Sequence, residues 1–459
     1  LRGIIKLKKL KVDISFYKKL WVIVFPIIIQ NLVASAVSSA DVIMLNYVGQ
    51  SAITAASLAV QYANVVSCVF FGMGTGATML CAQYWGKGDK ASIEKIEGIA
   101  LRINIPVGLF FTLCALIIPE YMMRFFTPDE EVILLGVRYL RIVALMYFTW
   151  AVSEVYVSVI RSIGRVGVAT FISSVPLALN ICLNAVFIFG LFGAPKMGIT
   201  GVALATTISR VIQLILCFVV SAKSDIKLKF SLIFVKSKLL WKDFIKMAVP
   251  AVLNDVVWGL AYSMYSFIMG HIGSEIVAAN SIVSVCRNFG TVLGFALAGA
   301  AGIILGQLLG ANKFEEAKQA AHRLVILSAV TGLAGGLLIY ACKPLILAFA
   351  SRSLEPAALE MLSFMLLIQT YYCMGQTVNT IIIVGVFRAG GDSRFGLICD
   401  SIDMWCYAVP LGLIAAFVLK LPVKWVYFLL LTDEFVKWPW VFKKYFSYSW
   451  LKNITRNDV

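Results

Sequence analysis

The sequence predicts an all-α membrane protein of twelve transmembrane helices, arranged as two parallel six-helix repeats (an N-lobe and a C-lobe) around a central cavity. Composition, the number of long apolar runs and a half-chain repeat point there. Of 459 residues, 60% are hydrophobic and only 14% charged, with a mean hydropathy of +0.89. A soluble domain is roughly 45–50% apolar and about 25% charged. A soluble enzyme and a disordered chain are therefore poor fits. The net charge of +16 would suggest nucleic acid in a soluble chain; here the basic residues sit between apolar runs, and no nucleic-acid partner is expected.

A membrane-spanning helix needs about 20 apolar residues. The runs at 20–47, 53–85, 97–118, 132–160, 167–190 and 198–221 supply six candidates. Those at 246–270, 276–309, 322–347, 357–386, 395–417 and 422–441 supply six more. The runs 53–85 and 276–309 are overlong and should tilt, bend or project into water. Pro26, Pro106, Pro176, Pro250 and Pro410 fall inside spans, where each frees a carbonyl that neighbouring protein must satisfy. The basic start leads into an apolar segment with no cleavage pattern, so it reads as a span and not as a signal peptide. Ten cysteines without a C-x-x-C pattern read as small buried hydrophobes. His271 and His322 are far apart and form no metal-ligand spacing, so no cofactor is expected.

With the N-terminus in the cytoplasm and spans alternating, 28 Lys and Arg fall in inside segments and six in outside loops. That split follows the positive-inside rule and predicts a multi-pass plasma-membrane protein with both termini cytoplasmic. A shift of 224 residues aligns Pro26 with Pro250, Asn64 with Asn288, Gln83 with Gln307 and Gly86 with Gly310. These are among eleven identities between residues 26–86 and 250–310. Arg161-Ser-Ile-Gly164 echoes Arg388-Ala-Gly-Gly391 at an offset of 227. Six spans per half return the chain to the same side, so the repeats are parallel. The expected division is an N-terminal lobe over 1–221, a cytoplasmic basic linker over 222–243 and a C-terminal lobe over 244–459. One chain supplies both halves, so a monomer suffices, with membrane lipid around it. The chain lacks a G-x-x-x-x-G-K-[ST] loop, which removes the evident ATP site, and Gly72-Met-Gly-Thr-Gly76 lies within a span, where small residues let helices approach.

Gln83-Tyr-Trp-Gly86 before a charged turn resembles the multidrug and toxic compound extrusion (MATE) transporters, in their bacterial branch. So do Arg161-Ser-Ile-Gly164, Leu179-Asn-Ile-Cys-Leu-Asn184, Met197-Gly-Ile-Thr-Gly201, Gly390-Gly-Asp392 and the stretch Trp450 to Arg456. These motifs recur in order along nearly the whole chain. The resemblance implies a two-lobed secondary antiporter, not an enzyme. It would export small organic, often cationic, lipophilic compounds in exchange for H⁺ or Na⁺ by alternating access.

A carboxylate at bilayer depth costs at least about 2.5–3.5 kcal/mol, so each embedded acid is a functional candidate. Gln30, Ala34, Ser38 and Asp41 share one face of the first span, a polar stripe leading to an acid. Asn180 and Asn184 stand one turn apart on the fifth span, and Thr206 lies in the sixth. The resemblance assigns Asp41, Asn180, Asn184 and Thr206 to the coupling cation. A carboxylate with amide and hydroxyl oxygens can hold Na⁺ or a proton. Some relatives carry Asp where Asn184 stands, so the first half offers one strong acid. In the second half Asp255, Tyr265, Asp400 and Asp403, with Gln30 and Ser38 of the first, are candidates to line the cavity and contact substrate. Asp400 and Asp403 share a face and could attract cationic cargo or pair with Arg287 or Arg388. Asp433 and Glu434, beside Lys437 near the end of the last span, read as surface residues. The alternative is a lipid-linked precursor flippase, which would need a cationic cavity for pyrophosphate; the embedded acids argue against it. A membrane enzyme is disfavoured by the lack of H-E-x-x-H and G-x-S-x-G motifs.

Overall fold

A computed structural model describes residues 14–45, 47–235, 237–351 and 354–456, except the side chains at 38, 39, 41–43, 45, 274 and 275. The candidates Ser38 and Asp41 thus lie on a described helical backbone, while their side chains fall outside the described residues. Helices dominate, and no strand occurs among the described residues. The apolar runs fold as helices because the bilayer core offers the backbone no other partner.

The first half contains α1 (Ile14–Leu45), α2 (Gln50–Lys87), α3 (Lys90–Ile117), a short α4 (Pro119–Phe126), α5 (Glu130–Ser162), α6 (Val166–Phe189) and α7 (Ile199–Ala222). The second contains α8 (Lys238–Ile272), α9 (Ser274–Gly310), α10 (Phe314–Ala350), α11 (Pro356–Phe387) and α12 (Ser393–Val418). Eleven of these are long and apolar enough to cross a membrane. The twelfth expected span, 422–441, is not one helix. It is broken into α13 (Val423–Leu430), α14 (Asp433–Val436) and α15 (Trp438–Phe446). The break falls where three charged residues, Asp433, Glu434 and Lys437, turn inward; each is no more than 2% exposed. Both α11 and α12 contain π-helical stretches, at Ile381–Phe387, Ser401–Ala408 and Ile414–Val418. Such bulges accompany functional sites in other helical proteins, and here two flank the buried charges. The expectation that the cysteines are buried holds for Cys81, Cys217, Cys373 and Cys399, whereas Cys182 and Cys406 are exposed.

The halves meet at the end bearing the turns near Lys87, Arg161, Lys313 and Arg388, the basic end. Here the repeat becomes a set of reciprocal contacts. Gln83 Nε2 donates to Ala389 O at 2.7 Å, and its counterpart Gln307 Nε2 donates to Ser162 O at 3.0 Å. Each glutamine of one half thus holds the motif turn of the other. A Cβ at Gly86 would collide with the Gln307 carbonyl, and one at Gly310 with the Gln83 carbonyl. The same symmetry recurs within each half, where Arg161 NH2 reaches Gln30 Oε1 at 3.4 Å and Arg388 NH2 reaches Asn254 Oδ1 at 2.8 Å. The matched Gln and Gly positions are therefore interlobe contacts.

Residues 447–456 then close over this junction. Ile454 N donates to Gln83 Oε1 at 2.8 Å, and Gln83 Nε2 also donates to Lys452 O at 3.1 Å. Arg456 grips Asp243 of α8 through two hydrogen bonds of 2.6 and 2.8 Å, and its N–H reaches Tyr84 Oη. Asn453 donates to Gly310 O and to Asn312 Oδ1. Trp450 anchors the segment, fully buried against Tyr445 with its Nε1 donating to Tyr445 O at 3.1 Å. Removing a buried tryptophan side chain costs about 3–5 kcal/mol. Trp450→Ala is expected to free residues 447–456, read as rapid proteolytic cleavage within them; cleavage no faster than in the parent would show that Trp450 does not hold the segment.

Candidate functional site

In the first half, α6 packs against both α1 and α7. This brings two asparagines and a threonine together. Asn180 Nδ2 donates to Thr206 Oγ1 at 3.2 Å, and Asn184 Nδ2 donates to Asn180 Oδ1 at 3.2 Å. The Thr206 hydroxyl donates to Val202 O at 2.9 Å. Asn180 and Asn184 are 5% and 0% exposed. Buried amides in an apolar bundle are costly without partners, and this chain of hydrogen bonds supplies them. A small cavity of about 130 Å³ lies between the halves near the basic end. Glu154, Ser158, Arg161, Thr75, Thr78 and Arg388 contribute to its wall. Glu154 accepts from Trp150 Nε1 and Ser158 Oγ, both at 3.4 Å.

The second half holds a larger polar structure. Lys437 Nζ lies 3.0 Å from Glu434 Oε2, 3.3 Å from Asp400 Oδ1 and 3.6 Å from Asp403 Oδ2. Asp400 also accepts from Asn254 Nδ2 at 2.8 Å, and Asn254 Oδ1 in turn accepts from Arg388. Arg388 pairs with Asp255 at 2.9 Å. Glu434 accepts from Asn379 Nδ2 at 2.7 Å. Asp433 accepts from Tyr265 Oη at 3.1 Å and from the Glu434 N–H at 2.8 Å. Three carboxyls meet one ammonium and Asp433 adjoins Glu434, so the cluster cannot be electrically balanced with all four ionised. Among the described residues, neither Asp403 oxygen accepts a hydrogen bond. Among the described residues, no group of three or more His, Cys, Asp and Glu side chains is arranged to hold a metal ion; the acids converge on a lysine.

Several sequence-level expectations change here. Asp400 and Asp403 do share a face, but their cationic partner is Lys437, not Arg287 or Arg388. Arg388 is taken by Asp255. Asp433, Glu434 and Lys437, read as surface residues, form the most buried charge cluster of the second half. Gln30 is engaged by Arg161, and Tyr265 bonds an acid. The signal that could have found Lys437 is its company: two acids precede it within an apolar run.

A sequence profile of one family matches residues 26–186 and again 250–417. The chain belongs to the MatE family. Its two matched segments coincide with the two repeats. MatE proteins are membrane transporters, which sets enzymes aside. The chain is 23% identical to the uncharacterized transporter YisQ of Bacillus subtilis, over 94% of this chain and 95% of YisQ. It is 23% identical to the probable multidrug resistance protein YoeA of the same organism, over 89% of each. The fold is similar to the bent form of the MATE transporter VcmN from Vibrio cholerae, with a TM-score of 0.85 at 17% identity, covering 95% of this chain and 97% of that one. In this MatE protein, then, the polar sets of the two halves belong to a transporter, and the reciprocal contacts lie where its two repeats meet.

Proposed function

We propose that this MatE transporter is a multidrug efflux protein: a secondary antiporter that exports organic, lipophilic, mainly cationic compounds in exchange for H⁺ or Na⁺. It works as a single chain in the plasma membrane, with both termini cytoplasmic and the lobes 1–221 and 244–459 rocking about the 222–243 linker. The observation that carries this reading is the one-sided junction. The halves interlock at the basic end, while Gln61, Asn64 and Asn288 remain exposed further along α2 and α9. Amides exposed to lipid would be unsatisfied, so these line a water-filled space between the halves that opens opposite the basic end. This is one of the two states alternating access requires. Asp41, with the Asn180–Asn184–Thr206 set, supplies the coupling site. Gln30, Ser38, Asp255 and Tyr265 supply the polar lining, with Asp400 and Asp403 set behind it on Lys437. The flippase alternative needs free positive charge between the halves; Arg388 there is paired with Asp255, and Arg161 shares its cavity wall with Glu154.

The test is transport of a fluorescent organic cation in proteoliposomes under separate H⁺ and Na⁺ gradients. One gradient is expected to drive flux, and Asp41→Asn to reduce it by about a hundredfold or more, as for loss of an essential charge worth ~3 kcal/mol. Flux indifferent to both gradients would overturn antiport, and full flux in Asp41→Asn would remove Asp41 from the coupling site.

A further inference from the structure

The buried Lys437 and Arg388 and the half-buried Arg210 are each answered: by three carboxylates, by Asp255 and Asn254, and by Gln213 and the face of Trp150. Arg287, in the middle of α9, is not. Its guanidinium lies 5.0 Å from the Tyr262 ring centre. It makes no ion pair and donates no hydrogen bond among the described residues. It faces a cavity of about 140 Å³ between α8, α9 and α13.

The tyrosine hydroxyls around the cavity have other partners. The Tyr262 hydroxyl is bonded to the Tyr372 hydroxyl at 3.0 Å and accepts from Gln376 Nε2 at 3.2 Å. The Tyr265 hydroxyl donates to Asp433, and Tyr427 Oη accepts from Gln369 Nε2 at 2.8 Å. The cavity is thus walled by tyrosine rings, with Ser284 and Asn280 on the same face of α9 as Arg287. A guanidinium in an apolar bundle seeks a planar oxyanion, which its fork of N–H groups binds bidentately. The carboxyl cluster beyond Tyr265 disfavours a second negative charge. The volume lies below the roughly 300–1,000 Å³ of a drug-sized site, so it suits a head group or a single ring.

We propose that this cavity is a binding site for a small aromatic monocarboxylate, anchored by Arg287 and stacked among Tyr262, Tyr265 and Tyr427. The site rests on the reading of the protein as a carrier of small organic cargo, and it extends that cargo to anions and to the acidic end of zwitterions. Because Tyr265 both lines the cavity and bonds Asp433, the ligand touches a side chain that also serves the Lys437 cluster.

The experiment is equilibrium binding of radiolabelled benzoate to the purified full chain, with competition by unlabelled benzoate, benzyl alcohol and benzylamine. Saturable binding is expected, displaced by benzoate and not by its neutral or cationic isosteres. Arg287→Gln should weaken it by roughly tenfold or more and Arg287→Lys by less, since lysine keeps the charge without the fork. Ser284→Leu fills the cavity without altering charge and should also weaken binding. If Arg287→Gln does not fold, Ser284→Leu and the competition series decide. Equal displacement by benzyl alcohol, or undiminished binding in Arg287→Gln or in Ser284→Leu, would overturn the proposal. Gradient-driven efflux of tetraphenylphosphonium separates this site from the antiport reading. Arg287→Gln should keep that flux while losing benzoate, whereas a parent protein that binds benzoate but moves no cation would remove the antiporter and leave the site standing.

Discussion

Replacing Lys437 by methionine is expected to lower stability by roughly 3–5 kcal/mol and to abolish transport, because it leaves Asp400, Asp403 and Glu434 buried around no positive charge. The side chains of Lys437, Asp400, Asp403 and Glu434 are 3%, 9%, 0% and 2% exposed, so water cannot take over the role of the ammonium. The Asn379 and Asn254 amides would still donate to Glu434 and Asp400, but neutral donors replace only part of an ion pair. The double variant Lys437→Met/Glu434→Gln should recover a measurable part of the loss, since it removes the nearest stranded charge. Thermal unfolding in detergent across the four-member cycle measures the coupling directly. Additive effects of the two substitutions would show that Lys437 and Glu434 act independently, contrary to their 3.0 Å contact.

Gly86→Val or Gly310→Val should unlock the basic end without disturbing either half. Each glycine lets one half's helix lie directly against a backbone carbonyl of the other, at Gln307 and Gln83 respectively. A branched side chain there forces the surfaces apart. Overpacking costs typically about 1–3 kcal/mol, and 1.4 kcal/mol is tenfold in an equilibrium, so the interlocked state should fall by roughly ten- to a hundredfold relative to its alternatives. The readout is thiol labelling of a cysteine introduced at Ser162, beneath the Gln307 contact, which should become faster in both variants. Unchanged labelling, with unchanged transport, would mean that the junction does not gate access. The repeat predicts similar effects at the two positions.

Much of the architecture was legible because the bilayer simplifies the problem: a long apolar run has few options other than a helix. The repeat was legible from Gln83, Gly86, Gln307 and Gly310, since polar and small residues survive in apolar helices where they serve contacts. The Asn180–Asn184 pair was visible from spacing alone, as was the common face of Asp400 and Asp403. Partner choice was not. Glu434 and Lys437 stand three residues apart, the spacing of an exposed ion pair on a helix surface, and nothing local distinguishes that from a buried pair. Only the long-range approach of Asn379 and Asp400 does so. Arg287 was similarly ambiguous: sequence offered acids as partners, and packing gave those acids to Lys437. The break in the last span was hidden for the same reason, because hydropathy averages over a window that charged residues interrupt only briefly.

The segment from Trp450 to Arg456 also sets an order of assembly. Its hydrogen bonds to Gln83 join residues 369 and 371 positions apart. They cannot exist until the ribosome has made α1 to α15 and Ile454 besides. Until then Gln83, 0% exposed in the finished fold, has lost two of its three partners, and Asp243 has no arginine. Contacts of such long range come late, because their loop-closure entropy is repaid only after the local structure is in place. The two halves can therefore insert and pack one after the other as translation proceeds. Their mutual locking comes later, completed by residues that follow α15.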